Sequence, residues 1–358
     1  MPDFQAQDEL FARPFAILTD AIRDQAFPCA SIAVTRGGKL IARKAFGSFT
    51  FGDSPLATPG TVFDLASVTK VVATTTMAAI EYERGLLALE TPLIAVTPEF
   101  SSDDARRSEV TLGMLLAHSS GLPAYERLFL RATTRDALVD EAFSVPLKHQ
   151  PGTHSEYSDI GFILLALGLE RMANEPLDRF CQREIFGPLG MASTTFIPPQ
   201  SWRSKIPPTA EDRTFRKRII QGEVQDENAS VMEGVAGHAG LFSTAADLAT
   251  FAHAMLSGGK PILRSDTLAA FTQRQGEGAS RALGWDTPSA PSQSGRYFSR
   301  SAFGHLGYTG TSLWIDPERQ ISITLLTNRT WPDCTNQAIQ QIRPRFHDAV
   351  IESLETNH

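Results

Sequence analysis

The chain reads as an α/β fold whose antiparallel sheet is built from both chain ends, with a helical domain inserted between them. Three observations predict it. A hairpin pattern with a Gly-Gly turn occurs between residues 30 and 46, strand-like text returns only after residue 300, and the stretch between is mostly helical and loop-rich. At 358 residues there is material for one large domain or two interleaved ones. The predicted division assigns residues 1–66 and 261–358 to the α/β domain and 67–260 to a mostly helical domain.

The elements follow in order. Phe11, Phe15, Leu18 and Ile22 recur at four-three-four spacing, an amphipathic helix over residues 8–26. Ala30–Thr35, the Gly37-Gly38 turn and Lys39–Phe46 form the hairpin signature. A helix then runs from Ser67 to near Gly85, another covers Leu112–His118 before Ser119-Ser-Gly-Leu-Pro123, and a third covers Ile160–Met172. Ser312–Asp316 and Gln320–Thr327 read as strands around a turn containing Pro317. A last helix sets Ile339, Ile342, Phe346, Val350 and Leu354 on one face, with Pro344 predicting a kink. The chain has no internal repeat and no long low-complexity linker.

Composition narrows the function classes. With 42% hydrophobic and 20% charged residues the chain is ordinary globular protein, which excludes disorder. A formal charge of −7 argues against nucleic acid or an anionic membrane as partner, leaving a small-molecule or peptide substrate; the oligomeric state stays open. Cys29, Cys181 and Cys334 are odd in number and widely spaced, so reduced, mostly structural thiols are expected. The first ten residues carry no basic region and no apolar run, and no stretch approaches the ~18 apolar residues of a membrane span. A cytoplasmic location is expected. No cofactor and no metal are expected either: there is no His-Glu-x-x-His, and the eight histidines are scattered. An α/β-hydrolase is disfavoured because no Gly-x-Ser-x-Gly elbow occurs.

The chemistry concentrates at Ser67-Val-Thr-Lys70, where a hydroxyl and an amine lie one helical turn apart. At a helix start the hydroxyl also sits beside unpaired N–H groups and the positive end of the dipole. A nearby lysine that takes up the hydroxyl proton makes serine a nucleophile. A second copy of the pattern, Ser257-Gly-Gly-Lys260, serves as a control, because its glycines break the helix the geometry needs. Tyr157, on the polar loop after Pro151-Gly152, is a candidate base, since a phenol beside an ammonium loses its proton more easily; the alternative is a half-buried tyrosine bonded to backbone. Ser158 and Asp159 equally suit a helix N-cap. Gly307 and Gly310 in strand-like text suggest close approach to backbone, placing the Tyr308 N–H beside that of Ser67 as an oxyanion pair, with His305 on the same wall. His238 is either a substrate or supporting contact or a plain loop histidine.

The order Ser67-x-x-Lys70, Tyr157-x-Asp159, His305-x-Gly307 resembles the serine β-lactamase/penicillin-binding-protein superfamily, above all its class C-like esterase and peptidase branch. Leu115–Pro123, Tyr157–Phe162, Phe186–Met191 and Gly240–Leu248 carry the resemblance over most of the chain. It implies a β-lactamase/transpeptidase-like fold with the site in the cleft between two domains. It also implies Ser67 as the acylated nucleophile, Lys70 as its proton partner and Tyr157 as general base. Asp159, His305, Gly307 and His238 are then the substrate-binding candidates. Two departures stand out. Asp159 replaces the usual asparagine and, if it pairs with Lys70, raises the lysine pKa and shifts base work to Tyr157. His305 replaces the usual lysine and removes a fixed positive charge. Both fit esterase or amidase members better than an efficient β-lactamase. Gly222–Ala229 followed by Gly234–His238 resembles a branch that hydrolyses cell-wall fragments; otherwise the tract is a solvated acidic loop. The resulting expectation is a serine hydrolase acting through an acyl-enzyme on an ester or amide, such as a muramoyl-peptide. The rivals are a promiscuous carboxylesterase, a weak β-lactamase or D,D-carboxypeptidase, and a catalytically weak sensor of such fragments.

Overall fold

The computed structural model describes residue 4 and residues 6–52, 54–276 and 280–356. Residues 1–3 and 5, part of the N-terminal stretch discussed above, lie outside these. Five strands form one antiparallel sheet: β1 (Cys29–Arg36), β2 (Lys39–Gly47), β3 (Phe303–Leu306), β4 (Ser312–Asp316) and β5 (Ile321–Thr327). Their order is β2-β1-β5-β4-β3. The two chain ends therefore join at β1 and β5, in register from Ala30 opposite Thr327 to Arg36 opposite Ile321.

Four helices frame this sheet and the site: α1 (Ala12–Arg23), α2 (Asp159–Ala173), α3 (Ala245–Leu256) and α4 (Ile339–Glu355). Strand alternation sorts the core into two layers. Ile32, Val34, Trp314, Ile323 and Leu325 face Phe11, Phe15, Leu18, Phe346 and Val350 of the terminal helices. Ala33, Leu313, Ile315 and Leu326 face the other way, into a larger core that takes in α3 and the helical layer around α2. So α3, inside the stretch read as helical domain, lies against β1 and β5.

The differences from the sequence expectation have local causes. The first helix divides at Phe11, because Pro14 has no N–H to bond the Leu10 carbonyl and starts a new helix instead. Pro344 lies within α4, and the Gln340 carbonyl it leaves without an intrahelical donor accepts from Gln293 Nε2 at 3.2 Å. Two strand pairs went unpredicted: Phe63–Asp64 with Phe242–Ser243, and Ala210–Asp212 with Arg218–Ile220. Two or three residues are too few to show alternation. Among the described residues no helix is long and apolar enough to cross a membrane.

Candidate active site

Ser67 sits on a single turn, Ala66–Val68, directly after the short strand Phe63–Asp64. Ala66 holds φ at +46°, an uncommon conformation for a residue with a side chain. The buried Asp64 carboxylate supports it by accepting from the Ala66 N–H at 2.8 Å, and its other oxygen accepts from the Gln225 N–H at 2.7 Å. Burial pushes the Asp64 carboxyl up to about 6. The helix continues as a wide π-type turn, Lys70–Thr75, before becoming α-helical at Thr76–Glu83. Such turns recur at functional sites, where they re-aim side chains.

Lys70 is fully buried, and its ammonium has three hydrogens to place. Three acceptors meet it: Ser67 Oγ at 3.1 Å, Asp159 Oδ1 at 2.7 Å and the His238 carbonyl at 3.0 Å. Tyr157 reaches the same hydroxyl from the far side, its OH 2.7 Å from Ser67 Oγ. The Lys70 Nζ lies 4.8 Å from the centre of the Tyr157 ring. Alcohol, amine and phenol, drawn from segments 90 residues apart, thus touch in one place.

The placement of Tyr157 and Asp159 follows from a cap. Ser158 is the N-cap of α2: its Oγ accepts from the Gly161 N–H at 2.9 Å and donates to the Pro123 carbonyl at 2.7 Å. The Ser158 N–H donates to His118 Nδ1 at 3.0 Å, and the His118 ring lies 4.8 Å from that of Tyr157. Burial holds His118 well below the usual histidine range, so it is the neutral tautomer with hydrogen on Nε2. Asp159 is the first helical residue. Opposite it, the 237–238 loop comes close because Gly237 has no side chain; a Cβ there would lie 2.2 Å from the Phe162 carbonyl. Thr74 Oγ1 donates to the Gly237 carbonyl at 2.7 Å and fixes the contact.

The electrostatics correct two expectations. Burial pushes the Tyr157 phenol well above its ordinary value, and the Asp159 carboxylate adds to this; the fold supplies that anion along with the ammonium, so the proton is held more tightly. Burial also pushes Lys70 below the usual lysine value, and the opposing pull of Asp159 does not overcome it. The pairing of Asp159 with Lys70 was foreseen, but the net direction of the lysine is down.

Of the other candidates, His238 has its ring on Asp226, Nε2 to Oδ1 at 2.9 Å, while its carbonyl holds Lys70. Asp159 is likewise engaged with Lys70. His305 is buried on β3 with Nδ1 2.8 Å from the Leu306 carbonyl; its Nε2 has no partner among the described residues, and burial pushes its pKa down to about 4. It is a neutral group at pH 7. Gly307 is confined: a Cβ would lie 2.0 Å from Thr311 Oγ1 and 2.4 Å from the Leu65 carbonyl. Thr309 Oγ1 donates to the Asp64 carbonyl at 2.8 Å and Thr311 Oγ1 to the Leu65 carbonyl at 2.9 Å. These bonds tie the turn carrying Tyr308 to the residues just before Ser67.

Several contributors escaped the sequence reading. Arg281, ion-paired with Asp286, lies 5.2 Å from the Tyr157 ring centre, and nothing local marks it. The 222–229 tract is no solvated loop. Asn228 is buried, bonding the Phe129 N–H at 3.0 Å and the Glu126 carbonyl at 2.8 Å. Asp226 caps the helix Glu227–Val231 and holds His238. An Asp followed by a helical run was the available signal. In the Ser257–Lys260 copy both Ser257 and Lys260 are exposed, at the ends of a turn with Gly258 and Gly259 at φ of +73° and +92°.

The sequence pattern that defines the Beta-lactamase family matches residues 13–343. An N-acetylmuramyl-L-alanine amidase of Bacillus subtilis (strain 168) is 32% identical over 341 residues, covering 85% of this chain and 77% of that protein. A putative D-alanyl-D-alanine carboxypeptidase of Escherichia coli (strain K12) is 30% identical over 344 residues, covering 86% and 79%. Among solved structures, EstCE1, a hydrolase with promiscuous acyltransferase activity, superposes with a TM-score of 0.79 at 22% identity, over 97% of this chain and 100% of that one. A class C β-lactamase from Rhodobacter sphaeroides gives 0.74 at 21% identity, over 96% and 99%. The fold is β-lactamase/transpeptidase-like, and the chain belongs to the β-lactamase family of serine hydrolases.

Proposed function

We propose that this hydrolase cleaves the amide of a muramoyl-peptide, or a similar peptidoglycan fragment, through an acyl-enzyme on Ser67. The observation that carries the reading is the contact of Ser67 Oγ with both Lys70 Nζ and Tyr157 OH. The reacting form of Lys70 is the neutral amine that burial favours: Ser67 Oγ attacks the amide carbon while its proton passes to that amine, the better acceptor of the two. The Ser67 and Tyr308 N–H groups hold the oxyanion. The phenol of Tyr157 delivers its proton to the leaving nitrogen and regains one from Lys70, and the C–N bond breaks. Water then attacks the acyl-serine carbonyl and gives a proton to Lys70, which returns it to Ser67 Oγ as the ester C–O bond breaks and the acid leaves.

The wall chemistry supports an amidase over a carboxypeptidase. A substrate ending in D-alanyl-D-alanine carries its carboxylate one residue from the scissile carbonyl and calls for a cation there. His305 is neutral at pH 7, and Arg281 is already paired with Asp286. The relative named as an amidase supports the same choice. The same neutral wall favours one further reading, a carboxylesterase acting on uncharged acyl groups. The test is a single assay series with N-acetylmuramoyl-L-alanyl peptides, p-nitrophenyl esters, a D-alanyl-D-alanine peptide and a β-lactam, products being identified by mass. We expect release of the free peptide amine with kcat/KM at least tenfold above the other substrates. Turnover of esters alone assigns the esterase, release of D-alanine the carboxypeptidase, and stoichiometric acylation of Ser67 without turnover a sensor. Each of these overturns the proposal.

A further inference from the structure

The histidines read as scattered in the sequence do not all stay so. His149, His154 and Glu156 offer ligand atoms within 4.8 Å of one another, on the loop that leads into Tyr157. The two imidazole rings lie 4.6 Å apart between centres, and His149 Nε2 is 3.1 Å from Glu156 Oε2. The loop is held by backbone bonds at both ends. The Lys148 and His149 N–H groups donate to the Gly121 carbonyl at 2.8 and 3.2 Å, Gly152 N–H to Ser119 at 2.8 Å, and Glu156 N–H to His118 at 2.9 Å. The three side chains are therefore brought together by a fixed scaffold.

We propose that His149, His154 and Glu156 form a binding site for a first-row transition-metal ion such as Zn²⁺, separate from the Ser67 chemistry. Two imidazoles and one carboxylate suit Zn²⁺, Ni²⁺ or Cu²⁺, whereas Mg²⁺ and Ca²⁺ call for oxygen ligands. A tetrahedral zinc with ligands at ~2.1 Å sets them about 3.4 Å apart, so side-chain rotation alone closes the present spacing. Three protein ligands leave a fourth position for water. One group competes: Lys148 Nζ sits 2.9 and 3.0 Å from the two Glu156 oxygens. That pair is solvent-exposed and weakly held, and a metal displaces it from one oxygen. Because Glu156 directly precedes Tyr157, the bound ion stiffens the approach to the phenol.

The experiment is calorimetric titration of the chelator-treated full chain with ZnCl₂ at pH 7.5, repeated with MgCl₂. We expect one Zn²⁺ per chain and no Mg²⁺ binding at the same concentrations. His149→Ala and His154→Ala should each weaken binding roughly tenfold or more. Lys148→Met should tighten it by removing the competitor, which also covers the case in which a histidine variant folds poorly. Ester hydrolysis by the wild-type chain with and without Zn²⁺ then reads the coupling to Tyr157. Absence of saturable Zn²⁺ binding overturns the proposal, as does binding that survives in the His149→Ala/His154→Ala double variant.

Discussion

The chain carries the pattern Ser-x-x-Lys twice, and the two copies behave as opposites. In the first, backbone and packing turn Ser67 and Lys70 toward each other, and the lysine is buried against Asp159 and a main-chain carbonyl. In the second, Ser257 caps the end of α3, and Gly258 and Gly259 fold the chain back with N–H groups bonded to Met255 and Ala254. Ser257 and Lys260 both face solvent. The same spacing thus brings serine and lysine into contact at Ser67, where the amine is buried, and leaves both side chains in solvent at Ser257. The spacing is shared; the environment differs.

The largest contrast is expected at the serines. Ser67→Ala should abolish labelling by a fluorophosphonate and lower hydrolysis by a factor on the order of 10⁴ or more. Ser257→Ala should leave both unchanged, and a loss of labelling there would break the comparison. Next come the two side chains in contact with Ser67 Oγ. Lys70→Met and Tyr157→Phe are each expected to lower kcat/KM by roughly 10²–10⁴, while Lys260→Met changes it less than about twofold. Steady-state kinetics on one ester substrate measures all three.

A smaller effect tests the confined glycine. Gly307→Ala puts a methyl group against Thr311 Oγ1 and the Leu65 carbonyl, and should destabilise the chain by ~1–3 kcal/mol in denaturant unfolding. Gly60, outside the positive-φ region and with its would-be Cβ meeting only Thr58 Oγ1 at 3.7 Å, is the control for crowding. The subtlest test concerns pH. Asp159 pulls the Lys70 pKa up against burial, so Asp159→Asn should move the rising limb of kcat/KM to lower pH, increasing activity at pH 6 relative to pH 8. An unmoved limb would detach Asp159 from the titration. His305, pushed down to about 4, should contribute no limb between pH 5 and pH 8.

Legibility in the sequence followed the range of the interaction. The hairpin, α2 and the C-terminal strands are set by local periodicity and turn residues, and they appear where the text places them. Ser67, Lys70 and Tyr157 were legible because each lies in a short motif with a mechanistic reason for its residue types. Asp226, the His238 carbonyl and Arg281 were not. Each acts through a partner distant in the chain, and no periodicity records such a pairing. The sign of the Tyr157 shift failed for the same reason, since it depends on burial and on a carboxylate two residues along that only folding turns inward.

By itself the sequence determined the two-ended sheet, the helices that cover it and the three side chains that meet in the candidate site. These rest on the spacing of apolar residues and on side-chain chemistry, both properties of the chain as written. The tertiary structure decided that Lys70 loses water while Asp159 holds it, that Tyr157 keeps its proton, and that His149 and His154 become neighbours. Desolvation and proximity between distant segments arise only once the core has closed, and it is these that turn a list of functional groups into a site.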